Sequence, residues 1–65
     1  MAKYDNITVQ LTGKDGNAFG IIATVQKALK NNGVPPEEIS QYRTEAMSAD
    51  YDNLLSVTMD WVDVQ

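Results

Sequence analysis

Hydrophobic and polar positions repeat with two different periods along this chain. Between residues 7 and 12, apolar Ile7, Val9 and Leu11 alternate with polar Thr8, Gln10 and Thr12. A repeat of two suits a sheet with one buried and one wet face, so a strand is predicted over 7–12. Beyond Ala18 the repeat lengthens to three and four. Phe19, Ile22, Val25 and Leu29 fall on one side of a helix, with Ala18, Ala23 and Ala28 beside them and Gln26, Lys27, Lys30 and Asn31 outside. The pattern predicts a helix over 16–32. It ends where Gly33 supplies the C′ position and Pro35-Pro36 forbids continuation, and Lys27 and Lys30 suit the negative end of its dipole.

Pro36 at the first helical position, with Glu37 and Glu38 in the first turn, starts a second helix over 36–47. Ile39, Tyr42, Ala46 and Met47 form its apolar stripe. A strand over 40–46 competes and lacks the β-branched residues a strand favours. A third helix is predicted from residue 49 to 61 or 62, capped by Ser48, with Asp50 and Asp52 near its positive end. At 100° per residue Asp52, Asn53, Ser56, Asp60 and Asp63 share an arc of about 100°, while Tyr51, Leu54, Leu55, Val57, Met59, Trp61 and Val62 fill the rest. Such an apolar arc is wider than one small core covers, so part of it, around Val57 and Trp61, is expected to meet a second surface.

These elements make an α+β domain spanning 1–65, with one strand followed by three helices. A lone strand leaves a row of backbone groups unpaired, so it needs a partner. The candidates are residues 62–65 or the same strand of another copy. Reading Leu55, Val57, Met59 and Trp61 as one face of a strand gives a βαββ arrangement as the minority alternative.

Composition sharpens the question of association. A chain of 65 residues supports one modest core, worth about 3–5 kcal/mol, and folds of that size usually recruit a staple. With no cysteine and no histidine, disulfides are impossible and structural zinc is disfavoured, which leaves oligomerisation. A homodimer is expected, with Ile7, Val9, Leu11, Tyr51, Val57 and Trp61 as candidate interface residues. The start of the chain has no apolar run of the kind a secretory leader carries, and no segment approaches a membrane span, so a soluble cytoplasmic protein is expected.

The net charge of −4 is unevenly placed. Residues 1–33 hold Lys3, Lys14, Lys27 and Lys30 against Asp5 and Asp15; residues 34–65 hold Arg43 against Glu37, Glu38, Glu45, Asp50, Asp52, Asp60 and Asp63. The first half is therefore +2 and the second −6, a pairing that favours attraction within the fold or between subunits.

Candidate chemistry is narrow. Gly13, Lys14, Asp15, Gly16 and Asn17 supply a tight turn between strand and helix, with Asp15 or Asn17 as its cap. Free amides there, beside Lys14, would suit a phosphate or carboxylate such as a nucleotide. The segment is too short for a P-loop and no Gly-Lys-Ser/Thr follows. Asp50, Asp52 and Asn53 lack the glycine and the final glutamate of a calcium loop. Without histidine or cysteine the usual general base and thiolate are missing, and the chain offers little room for a two-carboxylate sugar cleft. No catalytic residue, metal or cofactor is assigned, and the chain is read as a non-enzyme.

Leu11-Thr-Gly-Lys-Asp-Gly-Asn-Ala-Phe19 and Glu45-Ala-Met-Ser-Ala-Asp-Tyr-Asp-Asn-Leu-Leu55 resemble a family of small uncharacterised proteins of bacteria, their phages and plasmids, along nearly the whole chain. The resemblance implies no established activity. It points to these two segments as the seat of any shared function, and to inhibition of host machinery as a role for members on mobile elements. Three classes of function follow: a homodimeric module engaging itself or a protein partner through an aromatic surface; ribbon-helix-helix binding of nucleic acid through Thr8, Gln10 and Thr12; and capture of an anionic small molecule by residues 12–17. The acidic total disfavours nucleic acid.

Overall fold

The structure, a computed structural model, describes residues 2–10 and 18–65. Strand β1 (Tyr4–Val9) is followed by helices α1 (Ala18–Asn31), α2 (Pro36–Ala46) and α3 (Tyr51–Trp61) and a short strand β2 (Val62–Val64). This is the expected α+β order. β1 and β2 form a two-stranded parallel sheet, so the C-terminal segment completes the N-terminal strand within one chain. The βαββ alternative is not formed, because residues 51–61 stay helical and the extended backbone begins only at Val62.

β1 begins earlier than the alternation suggests and ends at Val9; Leu11 and Thr12 lie outside the described residues. Tyr4 pairs with Val62, whereas Thr8 pairs with Asp63 and Val9 with Val64, so the register slips between Tyr4 and Thr8. A slip re-phases the faces of a strand. Ile7 and Val9 are buried, and Tyr4, an odd number of positions from Ile7, packs against the same core. Bonds at both ends frame the pair: the Lys3 amide donates to the Asp60 carbonyl at 2.7 Å and the Gln65 amide to the Val9 carbonyl at 2.9 Å.

The core lies between this sheet and the three helices. Val25, Leu29 and Tyr42 have no exposed surface, and Ile21, Ile22, Leu54, Trp61 and Val62 are at most 5% exposed. Trp61 stacks edge-on against Tyr42, ring centroids 5.7 Å apart, and tilts against Tyr4 at 6.1 Å. α1 ends as its sequence requires, with Gly33 at φ 79° and the Val34 amide donating to the Leu29 carbonyl.

α3 is capped by Asp50, not Ser48. The Asp50 carboxylate accepts the Asn53 amide at 2.9 Å from an extended backbone, and the helix starts at Tyr51. Ser48 turns the other way, its hydroxyl donating to the Glu45 carbonyl at 2.7 Å and so closing α2. The Asn53 side chain also donates to Glu45, at 3.0 Å, tying the two helices through one carbonyl.

Candidate functional site

An open apolar groove of about 200 Å³ lies where the first turn of α1 meets the α2–α3 turn. Phe19 and Ile22 come from α1, Ala46 and Met47 from the end of α2, and Tyr51 and Leu54 from α3. Helical spacing explains its floor: Ile22 belongs to the buried face of α1 and Leu54 to that of α3. Its walls are different. Phe19 shares the Ile22 face of α1 yet is 68% exposed, and Met47 and Tyr51 are 47% and 44% exposed. Among the described residues that line it, Asp50 carries the one carboxylate, and it is occupied in capping α3. Such a lining can bury an apolar side chain.

Of the residues expected at an interface, Ile7, Val9 and Trp61 are buried inside the chain at 3%, 3% and 4% exposure. The reason is β2: it supplies the partner strand and lets α3 fold Trp61 inward between Tyr4 and Tyr42. Val57 is half-buried against the core, Tyr51 lines the groove, and Leu11 lies outside the described residues. So do all five residues of the expected anion-binding turn, Gly13, Lys14, Asp15, Gly16 and Asn17. Phe19 and Met47, which sequence reasoning assigned to helix stripes, are the groove residues it missed. Their signal was position: each stands at the end of its helix, where a stripe can run past its partner.

Beside the sheet, Lys3 and Glu38 form a surface latch. The Lys3 ammonium is 3.0 Å from Glu38 Oε1 and 4.4 Å above the centre of the Trp61 ring, and the Tyr4 hydroxyl donates to the same carboxylate oxygen. The bond to Glu38 holds the Tyr4 hydroxyl above its ordinary pKa. The Tyr4 hydroxyl and the Lys3 ammonium together hold the Glu38 carboxyl below its own. On the side of β1 that a nucleic-acid reading would use, Thr8 donates to the Asp63 carboxylate at 3.5 Å, a negative neighbour for a phosphate, and Gln10 is exposed.

No helix among the described residues is long and apolar enough to cross a membrane. No protein-family model matches the chain, and no match was found among the curated proteins or the solved structures.

Proposed function

We propose that this chain is a small, non-catalytic interaction module of the cytoplasm that self-associates through the groove between α1 and the α2–α3 turn. One observation carries the reading: of the four large hydrophobic side chains exposed among the described residues, Phe19, Met47 and Tyr51 line this single groove. A two-fold interface requires a surface complementary to itself. A projecting phenylalanine beside a hollow of matching chemistry meets that requirement, since each copy offers both the knob and the recess. The gain matters for a chain whose own core supplies only about 3–5 kcal/mol. The groove also gathers residues from two separate stretches of sequence, Ala18 and Phe19 from one and residues of 46–54 from the other.

Sedimentation equilibrium over a wide concentration range tests the reading. The wild type is expected to be dimeric, and Met47→Glu to raise the dissociation constant by about tenfold or more while keeping the thermal midpoint measured in dilute samples. Met47 suits the test because it stands just past the end of α2 at 47% exposure, outside the buried core, and its amide bond to the Arg43 carbonyl is one that any residue but proline provides. A wild type that stays monomeric throughout, or a Met47→Glu chain that dimerises unchanged, overturns the assignment. Should the groove serve a different protein, the wild type would be monomeric alone.

A further inference from the structure

The fourth exposed hydrophobic, Met59, stands apart from the groove at 56% exposure and in acidic surroundings. Asp5 of β1 and Asp63 of β2 line the same shallow hollow as Met59, Asp60 follows it in the chain, and Asp52 lies on its side of α3. A second hollow, of about 380 Å³, opens between α1 and α2 with the opposite character. Its apolar floor is Val34, Pro36 and Ile39, and its rim carries Lys30 and Arg43, with Lys27 one turn before Lys30. Of the acids of α2, Glu38 and Glu45 project about 140° or more of helix rotation away from the Pro36, Ser40 and Arg43 face. Glu38 is held by Lys3, and Glu45 accepts the Gln41 side chain. That leaves Glu37, about 60° from Ser40, against the three cations. Lys3 to Glu38 is the sole ion pair among the described residues, so neither the cations of the hollow nor the four aspartates are in an ion pair within this set.

The geometry points to a second contact between copies of this chain: Met59 and its aspartates on one copy dock into the Lys30–Arg43 hollow of the next. The occupant is identified by complementarity of two kinds at once, an exposed apolar side chain beside the carboxylates of Asp5 and Asp63 against an apolar lining rimmed by cations. The hollow is too open to enclose most of a small ligand, which a free-ligand site does, whereas a knob on a folded partner brings its own surroundings to close the rim. The contact is heterologous, joining two different patches. Added to a two-fold groove, it extends dimers into larger assemblies. It rests on the reading of the chain as a self-associating module and adds a separate, salt-sensitive interface to it.

Charge reversal tests it on the intact chain. Arg43→Glu and Asp60→Arg are each expected to abolish species larger than the dimer, weakening the extending contact by about tenfold or more, and raised salt should do the same to the wild type. Each variant is made in the Met47→Glu background as well, which removes the groove contact and leaves the second contact alone. In that background an equimolar mixture of the Arg43→Glu and Asp60→Arg chains restores complementarity between unlike chains. The unaltered Asp60 of the first variant meets the unaltered Arg43 of the second, and the two substituted positions also face opposite charges. Recovery of association in the mixture and not in either chain alone is the expected result. Equal assembly of both single variants and the wild type, or a mixture no better than its parts, overturns the contact and leaves the groove reading standing. Loss of the dimer with Met47→Glu while larger species also vanish in the charge variants supports both, and a wild type monomeric at every concentration overturns both. Unchanged Trp61 fluorescence establishes that each variant is folded.

Discussion

The hydroxyl of Tyr42 lies 2.8 Å from Oγ1 of Thr58, and neither side chain has any exposed surface. Thr58 spends its single proton on the Leu54 carbonyl, also at 2.8 Å, so Tyr42 is the donor in the pair. One directional bond thus joins α2 to α3 inside an otherwise apolar core. Removing the two partners should have unequal costs. Tyr42→Phe leaves Thr58 still bonded to Leu54 and is expected to cost about 1 kcal/mol, while Thr58→Val strands a buried phenol and should cost about 1–3 kcal/mol. The double variant should be less destabilised than the two single losses added together. Urea unfolding followed by Trp61 fluorescence measures all three, and strict additivity would remove the bond from the account.

The cap of α3 gives a second prediction. Because Asp50 and not Ser48 accepts the Asn53 amide, Asp50→Ala should destabilise the chain by about 1 kcal/mol. For a domain of this size that is a fall of roughly 4–8 °C in thermal midpoint. Ser48→Ala removes only a hydroxyl bond at the exposed end of α2 and should cost less. Calorimetry of the two variants decides between the caps; the reverse order would return the role to Ser48.

The latch at Glu38 makes a prediction about pH. The Tyr4 hydroxyl first, and then the Lys3 ammonium, lower the Glu38 pKa from its ordinary 4.5. A carboxyl depressed in the folded state binds fewer protons there than in the unfolded chain, so its contribution is present above the unfolded value and lost as pH falls through the folded one. Stability of the wild type should therefore decline below about pH 4.5, and that of Glu38→Gln should decline less over the same window. At the alkaline end, burial raises the Tyr42 pKa above 10.0, and its contribution fades as pH rises beyond that value. Urea midpoints measured across pH show both limbs. Parallel curves for wild type and Glu38→Gln on the acid side would contradict the linkage.

Particular residues show what was legible in the chain and what was not. The helices were, because Val25 and Leu29, Tyr42 and Ala46, and Leu54 and Trp61 keep helical spacing and sit at or near full burial. Gly33 and Pro36 marked their boundaries for local steric reasons that no tertiary contact overrides. The start of β1 was hidden: Tyr4, Asp5 and Asn6 do not alternate, since the register slip breaks the period on which strand detection depends. β2 was legible as one of two candidate partners for β1, residues 62–65, and its helical competitor arose because Val62 lies in phase with the apolar arc of α3 until the backbone turns extended there. The excess of apolar surface on α3 was visible, but its destination was not. Trp61 turned inward, between Tyr4 and Tyr42, and Tyr51 and Met59 outward. The groove was legible as two stretches of sequence and not as one place, because contact between residue 19 and residue 51 is a property of the fold.

The last prediction concerns where β1 finds its partner. The edge of β1 that pairs with β2 is satisfied within one chain, so those hydrogen bonds should survive dilution to the monomer. The two bonds that frame the sheet are useful reporters, the Lys3 amide to Asp60 and the Gln65 amide to Val9. Hydrogen exchange at these amides and along β1 is expected to be independent of protein concentration, whereas groove and hollow contacts between copies weaken on dilution. Deleting residues 62–65 should abolish the protection. It also removes Val62, which is 1% exposed, and uncovers Trp61, so the truncated chain is expected to lose cooperative unfolding altogether. Exchange that accelerates in step with dimer dissociation would place the partner strand on another copy, and the buried positions of Ile7 and Val9 would then have to be re-read as half of an interface.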